Sequence, residues 1–405
     1  MLFKLKNKMK RLFCNLILIA ILFFVLANVE AAEQKLRYHG FISQGLIDVD
    51  GSNFVNDNGE VSSELTELGI NASYQLSSNF RLAGQVVYLN GGNRYAEGTR
   101  IDYALIDWLA YTDTNWRINI YLGRFKNNHW LYSSSRDVPF ARPSIILPQS
   151  IYFDGFRDIA VGADGAAIKI SRSDDDYGNF DFNFSYGSNP ISSKQADIIL
   201  SKQSQGTVKQ DFEAQASFYW QPLFSPWRFG VSYLDSDFTY RANKAQDLFF
   251  DGSFSFQTTS INTLYEGEQW EFSGEFHESR FTTKGFFTPT FLKNPISHRW
   301  YVQSRYKLNH ELTLLMRYET FASDKNDKNG NKMEQETNGL VPAYFAYHDD
   351  TTIGLSYDLS SNFRVRFEYH WFQGTGRLTP VVLPNPRVNN SKNWQLWAVQ
   401  LMYWF

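Results

Sequence analysis

The residues best placed to do chemistry lie in one stretch after Lys126, reading NNHWLYSSSRDVPFARPSIILPQSIYFDGFRDIAVGAD and ending at Asp164. It carries Arg136, Asp137, Arg142, Asp154, Arg157 and Asp158. Charges of both signs facing one another across a narrow aqueous passage would set a transverse field and select ions by it. The same side chains could instead pair with charges elsewhere and hold the stretch in place, and for each arginine both roles are open. The composition argues against disorder: Trp130, Phe140, Ile145, Ile146, Leu147, Ile151, Tyr152 and Phe153 would gain from burial. Pro139, Pro143 and Pro148 fix the backbone direction at low entropic cost.

Sharper chemistry finds less support. The chain has seven histidines, but no two have the spacing of metal ligands on a helix or ribbon, and Cys14 is the only thiol. Placing Gly330 at the sixth position of a calcium loop puts Asp327, Asn329 and Glu336 at ligand positions, but Lys325 falls at the first, which defeats coordination. A Ser–His–acid site stays an alternative because such triads are recognised by geometry, although no serine has a distinguishing context. His277 and His370 read as ordinary polar lining. The sequence calls for no metal and no cofactor.

The elements that must position the long stretch are strands. Near 36–47, 66–76, 80–90, 101–112, 116–124, 164–172, 180–188, 211–220, 227–236, 251–265, 270–281, 298–308, 312–323, 350–359, 363–373 and 393–405, apolar and polar residues alternate. These sixteen segments are mostly as long as the ~9–11 residues that cross a bilayer at barrel tilt. Seven short connections alternate with eight long ones, as an even-stranded barrel with its termini on one side requires. Two hairpins, Tyr74 to Val86 and Tyr357 to Tyr369, reuse nearly the same turn, LSSNFR. After Asn362, Phe363, Val365, Phe367, Tyr369 and Trp371 share a face that fits lipid, while Arg364, Arg366, Glu368 and His370 share the other. The same rule turns Arg81, Arg117, Arg305 and Arg317 inward as pore wall. The expected lumen is wet and charged, with its basic residues concentrated in the late strands.

Residues 1–31 have the three parts of an export signal: Lys4, Lys6, Lys8, Lys10 and Arg11, an apolar run from Leu12 to Ala27, and small residues near Ala31. The run is roughly 15 residues, short of the ~20 that a spanning helix needs. Removing residues 1–31 takes away five positive charges and one negative, so the formal net charge goes from −3 to −7. An acidic exported chain is a poor candidate for nucleic-acid binding. Aromatic residues make up 17% of the chain while its mean hydropathy is negative. That combination suits a barrel that hides its apolar face in alternate positions, with residues 32–405 as one domain.

The final stretch, NWQLWAVQLMYWF, places Trp397, Val399, Leu401, Tyr403 and Phe405 in one row. It resembles the closing strand of bacterial outer-membrane β-barrels, whose terminal aromatic is read by the assembly machinery. The sixteen segments, this strand and the long third connection together resemble the porin superfamily, in its general and substrate-selective sixteen-stranded types. The run RDVPFARPSIILPQSIYFD is also similar to a segment of porin-like proteins from marine gammaproteobacteria. The resemblance implies an all-β transmembrane antiparallel barrel with the loop 126–164 folded inward as a constriction. It further implies a homotrimer in outer-membrane lipid and lipopolysaccharide that passes small hydrophilic solutes or ions without being an enzyme. A mild anion preference would follow from the basic late strands. The short acidic motif usual at the porin loop tip is not obvious here. The competing readings are an outer-membrane barrel hydrolase, a structural or adhesive barrel with a closed lumen, and a lipid or hydrocarbon transporter.

Overall fold

The computed structural model describes residues 35–160, 162–244, 247–382 and 387–405, so the expected export signal lies outside the described residues. All sixteen expected segments are strands: β1 (Leu36–Asp50), β2 (Thr66–Gln75), β3 (Phe80–Asn90), β4 (Gly98–Thr112), β5 (Trp116–Lys126), β6 (Gly162–Asp174), β7 (Gly178–Ser188) and β8 (Thr207–Gln221). The second half follows as β9 (Trp227–Arg241), β10 (Gly252–Glu266), β11 (Trp270–Gly285), β12 (Ile296–Lys307), β13 (Leu312–Ala322), β14 (Tyr347–Ser360), β15 (Phe363–Gln373) and β16 (Asn393–Trp404). A two-residue piece, Leu292–Lys293, extends the pairing at the end of β11. Each strand is antiparallel to the next, and β1 pairs with β16 over Phe41↔Trp404 to Asp50↔Gln395, so the sheet is a closed barrel with no free edge.

Several strands run past their expected outer ends. β9 continues to Arg241 through Asp235, Asp237 and Thr239, and β8 begins at Thr207. Polar residues on the outward row break the apolar alternation there, while the ladder hydrogen bonds continue regardless.

The register settles which row faces where. Leu401, Phe367 and Trp371 are exposed on the outside, whereas their neighbours Leu396, Ala398, Gln400, Glu368 and His370 are buried inside. Aromatic pairs ring the outer surface near the short turns, including Phe80 on Trp108, Trp270 on Phe272 and Phe363 on Tyr403. Such a girdle sits where hydrocarbon gives way to headgroups. Among the described residues no helix is long and apolar enough to cross a membrane; any crossing is made by strands.

Close strand pairing shows why two glycines stand where they do, one at the seam and one between β4 and β5. Gly40 and Phe405 exchange backbone hydrogen bonds at 3.2 and 3.1 Å, and a Cβ on Gly40 would meet the Phe405 ring at 2.5 Å. Gly123 on β5 has φ +116°, and a Cβ there would come within 2.5 Å of the Ala104 carbonyl on β4.

Candidate functional site

The segment between β5 and β6 is folded through its own short elements: 3₁₀ turns at Pro139–Ala141 and Asp154–Phe156, then the single helical turn α1 (Arg157–Ala160). Its apolar residues find three partners. Ile145 and Ile146 join Ile47 and Leu396 of the wall and Leu65 just before β2; Trp130, Tyr132, Leu147, Ile151 and Tyr152 gather with Tyr301; Val138 and Phe140 pack on the cluster of Phe41, Val87, Leu89 and Tyr95. Burial of that many large side chains is what holds a connection of this length in one conformation.

Five glutamates on the inner wall receive the segment's polar groups. Glu67 on β2 accepts from the two terminal nitrogens of Arg142, at 3.0 and 2.6 Å, and from Arg157 at 3.1 Å. Glu213 on β8 accepts from the Asn127 side chain at 2.6 Å. Glu275 on β11 accepts from the Tyr152 hydroxyl and, at 3.4 Å, from the Leu131 backbone. Glu319 on β13 accepts the Ser150 backbone N–H at 2.6 Å, and Glu368 on β15 accepts those of Ile145 and Ile146 at 2.5 and 3.1 Å. Donors come back the other way. Arg366 gives to the Pro139 and Arg142 carbonyls at 3.0 and 2.7 Å, and Arg317 gives to Ser144 Oγ and the Ile146 carbonyl at 3.1 and 3.0 Å. A segment tied to β2, β8, β11, β13 and β15 lies across the barrel.

A chain of ion pairs links the tethers. Asp137 is bridged by Arg157 and by Lys126, the latter at 2.5 Å, and Lys126 also meets Asp102 at 2.5 Å. Arg136 holds Asp154 at 2.9 Å, and Arg94 reaches the other Asp154 oxygen at 3.5 Å. Burial alone would raise the Asp137 carboxyl. Arg157 and Lys126 outweigh it and hold that carboxyl well below the usual range.

Of the two roles open to the segment's charges, the structure shows pairing: Arg136, Asp137, Arg142, Asp154 and Arg157 are all buried. Asp158 belongs to α1, but its side chain lies outside the described residues. The expected wall residues all point inward, yet they divide into two groups. Arg317, Arg366 and Glu368 are covered by the segment, each at most 3% exposed, while Arg81, Arg117, Arg305 and Arg364 stand nearer the short turns and keep contact with solvent. The expectation of a wet, charged lumen holds toward the short turns and not beneath the segment. His277, His370 and Glu319 are at 0% exposure. Much of the surrounding charge is paired, as Asp350 is with Arg317 and with His370. A basic late wall is corrected for the same reason: Arg364 is paired with Asp358 and contributes little free charge.

Glu67 is the hub that sequence reading misses. The signal was present, since Leu68, Ile70, Ala72 and Tyr74 mark the outward row of β2 and leave Glu67 on the inner one.

Fold and site together define a closed sixteen-stranded antiparallel barrel of the outer-membrane kind, crossed inside by its third long connection. No family model matches the chain, and no curated protein matches it in sequence. Solved structures do match in shape. OprB of Pseudomonas putida, solved at high pH, aligns with a TM-score of 0.58 at 9% identity over 94% of this chain and 96% of that one. An anion-selective porin from Comamonas acidovorans gives 0.57 at 11% over 91% and 99%, and OmpT of Vibrio cholerae gives 0.55 at 12% over 91% and 97%. At such identities the likeness is one of fold.

Proposed function

We propose that this protein is an outer-membrane porin: a passive channel for small hydrophilic solutes, narrowed by the segment 127–161 and involving no covalent chemistry. The observation that carries the reading is a folded loop tied across a lumen whose wall keeps solvent-reachable charge. On the wall near the short turns, Arg117 is exposed and Arg228 half-buried, and neither has a carboxylate partner among the described residues. Of the other wall cations there, Arg81 is matched by Asp107, Lys169 by Asp181 and Arg305 by Glu271, while Arg37 and Lys307 are exposed and have no carboxylate partner among the described residues. These unpaired cations favour anions, as expected, but they come from β1, β5, β9 and β12 and not from the last four strands.

The protein would reach outer-membrane lipid and lipopolysaccharide through the barrel assembly machinery, and a homotrimer fits its outer surface. On β2 to β5 the outward row narrows to Ala72, Gly84 and Ala104 between Leu82, Ile106 and Leu122, a shallow aliphatic groove without charge.

The test is single-channel conductance of the refolded protein in a planar bilayer, with the reversal potential read under a salt gradient. Discrete steps with a potential of anion-preferring sign support the reading. The double variant Arg117→Ala, Arg228→Ala should move that potential toward zero; an unchanged potential removes the two arginines from selectivity. The packing over Arg317 and His370 favours one alternative, a barrel with a closed lumen, and a folded barrel that gives no steps would establish it.

A further inference from the structure

A cavity of about 90 Å³ lies between the segment 127–161, the helix α2 (Ser193–Ile199) and the inner wall of β8 to β11. Its lining is almost wholly apolar, which a lumen serving only hydrophilic solutes does not need. Ile151 and Phe153 come from the long loop, Leu200 from the end of α2, and Leu234, Phe254 and Phe281 from the wall. Val382, from the connection between β15 and β16, also lines it. All three connections are long ones, so the cavity belongs to the end of the barrel opposite the short turns. Its size is of the order of the ~150 Å³ apolar cavity that takes benzene in another protein.

Four polar side chains share the lining, and three are accounted for. Arg136 is held by Asp154 and by the Tyr152 carbonyl at 2.7 Å. Glu213 accepts from three amide groups, those of Asn127, Gln215 and Gln210, at 2.6, 2.5 and 3.1 Å. Ser236 donates to the Phe212 carbonyl and accepts from Gln210.

The fourth, Arg299 on β12, is 3% exposed and has no carboxylate partner among the described residues. One of its nitrogens donates to Ser279 and Thr258, at 2.6 and 3.3 Å; its Nε has no partner at all, and its guanidinium stands 5.3 Å over the Phe256 ring. Burying a guanidinium without an anion is costly, and a carboxylate is the group that its donor fork matches best.

We propose that this cavity binds a small amphipathic monocarboxylate, its aromatic or short hydrocarbon body against Leu234, Phe254 and Phe281 and its carboxylate on Arg299. The inference names a solute class for the channel and rests on that reading only for the route by which solute arrives. Apolar walls give affinity with little directionality, and one buried cation gives orientation.

The experiment is calorimetric titration of the refolded full barrel in detergent with benzoate, and with benzyl alcohol as the uncharged counterpart. Benzoate should bind more tightly than the alcohol. Arg299→Gln should weaken benzoate at least tenfold and leave the alcohol unchanged, and Val382→Trp, which fills the cavity from a loop, should remove both. No benzoate heat from folded wild-type protein overturns the proposal, as does equal affinity for the two probes, a comparison that stands even if Arg299→Gln does not fold. Conductance of the same preparation separates the two readings. Binding without conduction sinks the channel and leaves the site, and conduction without binding does the reverse.

Discussion

At the scale of single residues, the inner wall works through glutamates more than through the arginines that stand out in the sequence. Glu67 receives Arg142 and Arg157 while itself being 1% exposed. Removing one partner of such a pair leaves the other buried and uncompensated, at a cost of about 3–5 kcal/mol. Arg142→Ala should therefore loosen the loop and lower the urea midpoint of the refolded barrel, with noisier and larger conductance steps; an unchanged midpoint would mean that Arg142 holds nothing. Asp137 supplies a pH dependence. Its folded carboxyl is held below the unfolded value of about 3.9, so its contribution is present above that value and is lost as pH falls through the folded one. Loop protection from protease should persist at pH 5 and fail only below about pH 4. Loss already between pH 7 and 6 would point to a different group. Alternation in the sequence told which side chains face inward, because a strand has only two sides. It could not tell which of those would be covered, since that depends on a loop that meets Glu368 from 223 residues away in the chain.

At the scale of elements, all sixteen strands were legible because lipid outside and polar groups inside enforce a period of two. Their outer ends were not, as in β9, where Asp235 and Asp237 stand on the outward row beyond the apolar part. The seam is where one element can be broken locally. In Gly40→Val the new side chain must displace the Phe405 ring and approach the Gly69 carbonyl, already 3.1 Å from where a Cβ would lie. Overpacking of that kind costs about 1–3 kcal/mol. A lower urea midpoint with a smaller folded fraction on a heat-modifiability gel is expected. Equal folding of the variant would show that the ring has room to move.

At the scale of the whole molecule, the proposed channel has its internal width set by the loop and not by the wall. Replacing residues 131–153 by a short Gly-Ser linker should give a barrel of markedly higher conductance if the lumen is a channel; conductance equal to that of the intact protein would place the narrowest point elsewhere. The tethers also impose an order of events. Glu67 lies on the second strand and Glu368 on the fifteenth, so the loop has its full set of anchors only after nearly the whole wall exists. Contacts so distant along the chain form late. An assembly intermediate lacking β15 would therefore be wider and leakier than the finished protein, and the permeability barrier would be the last property acquired as the molecule matures.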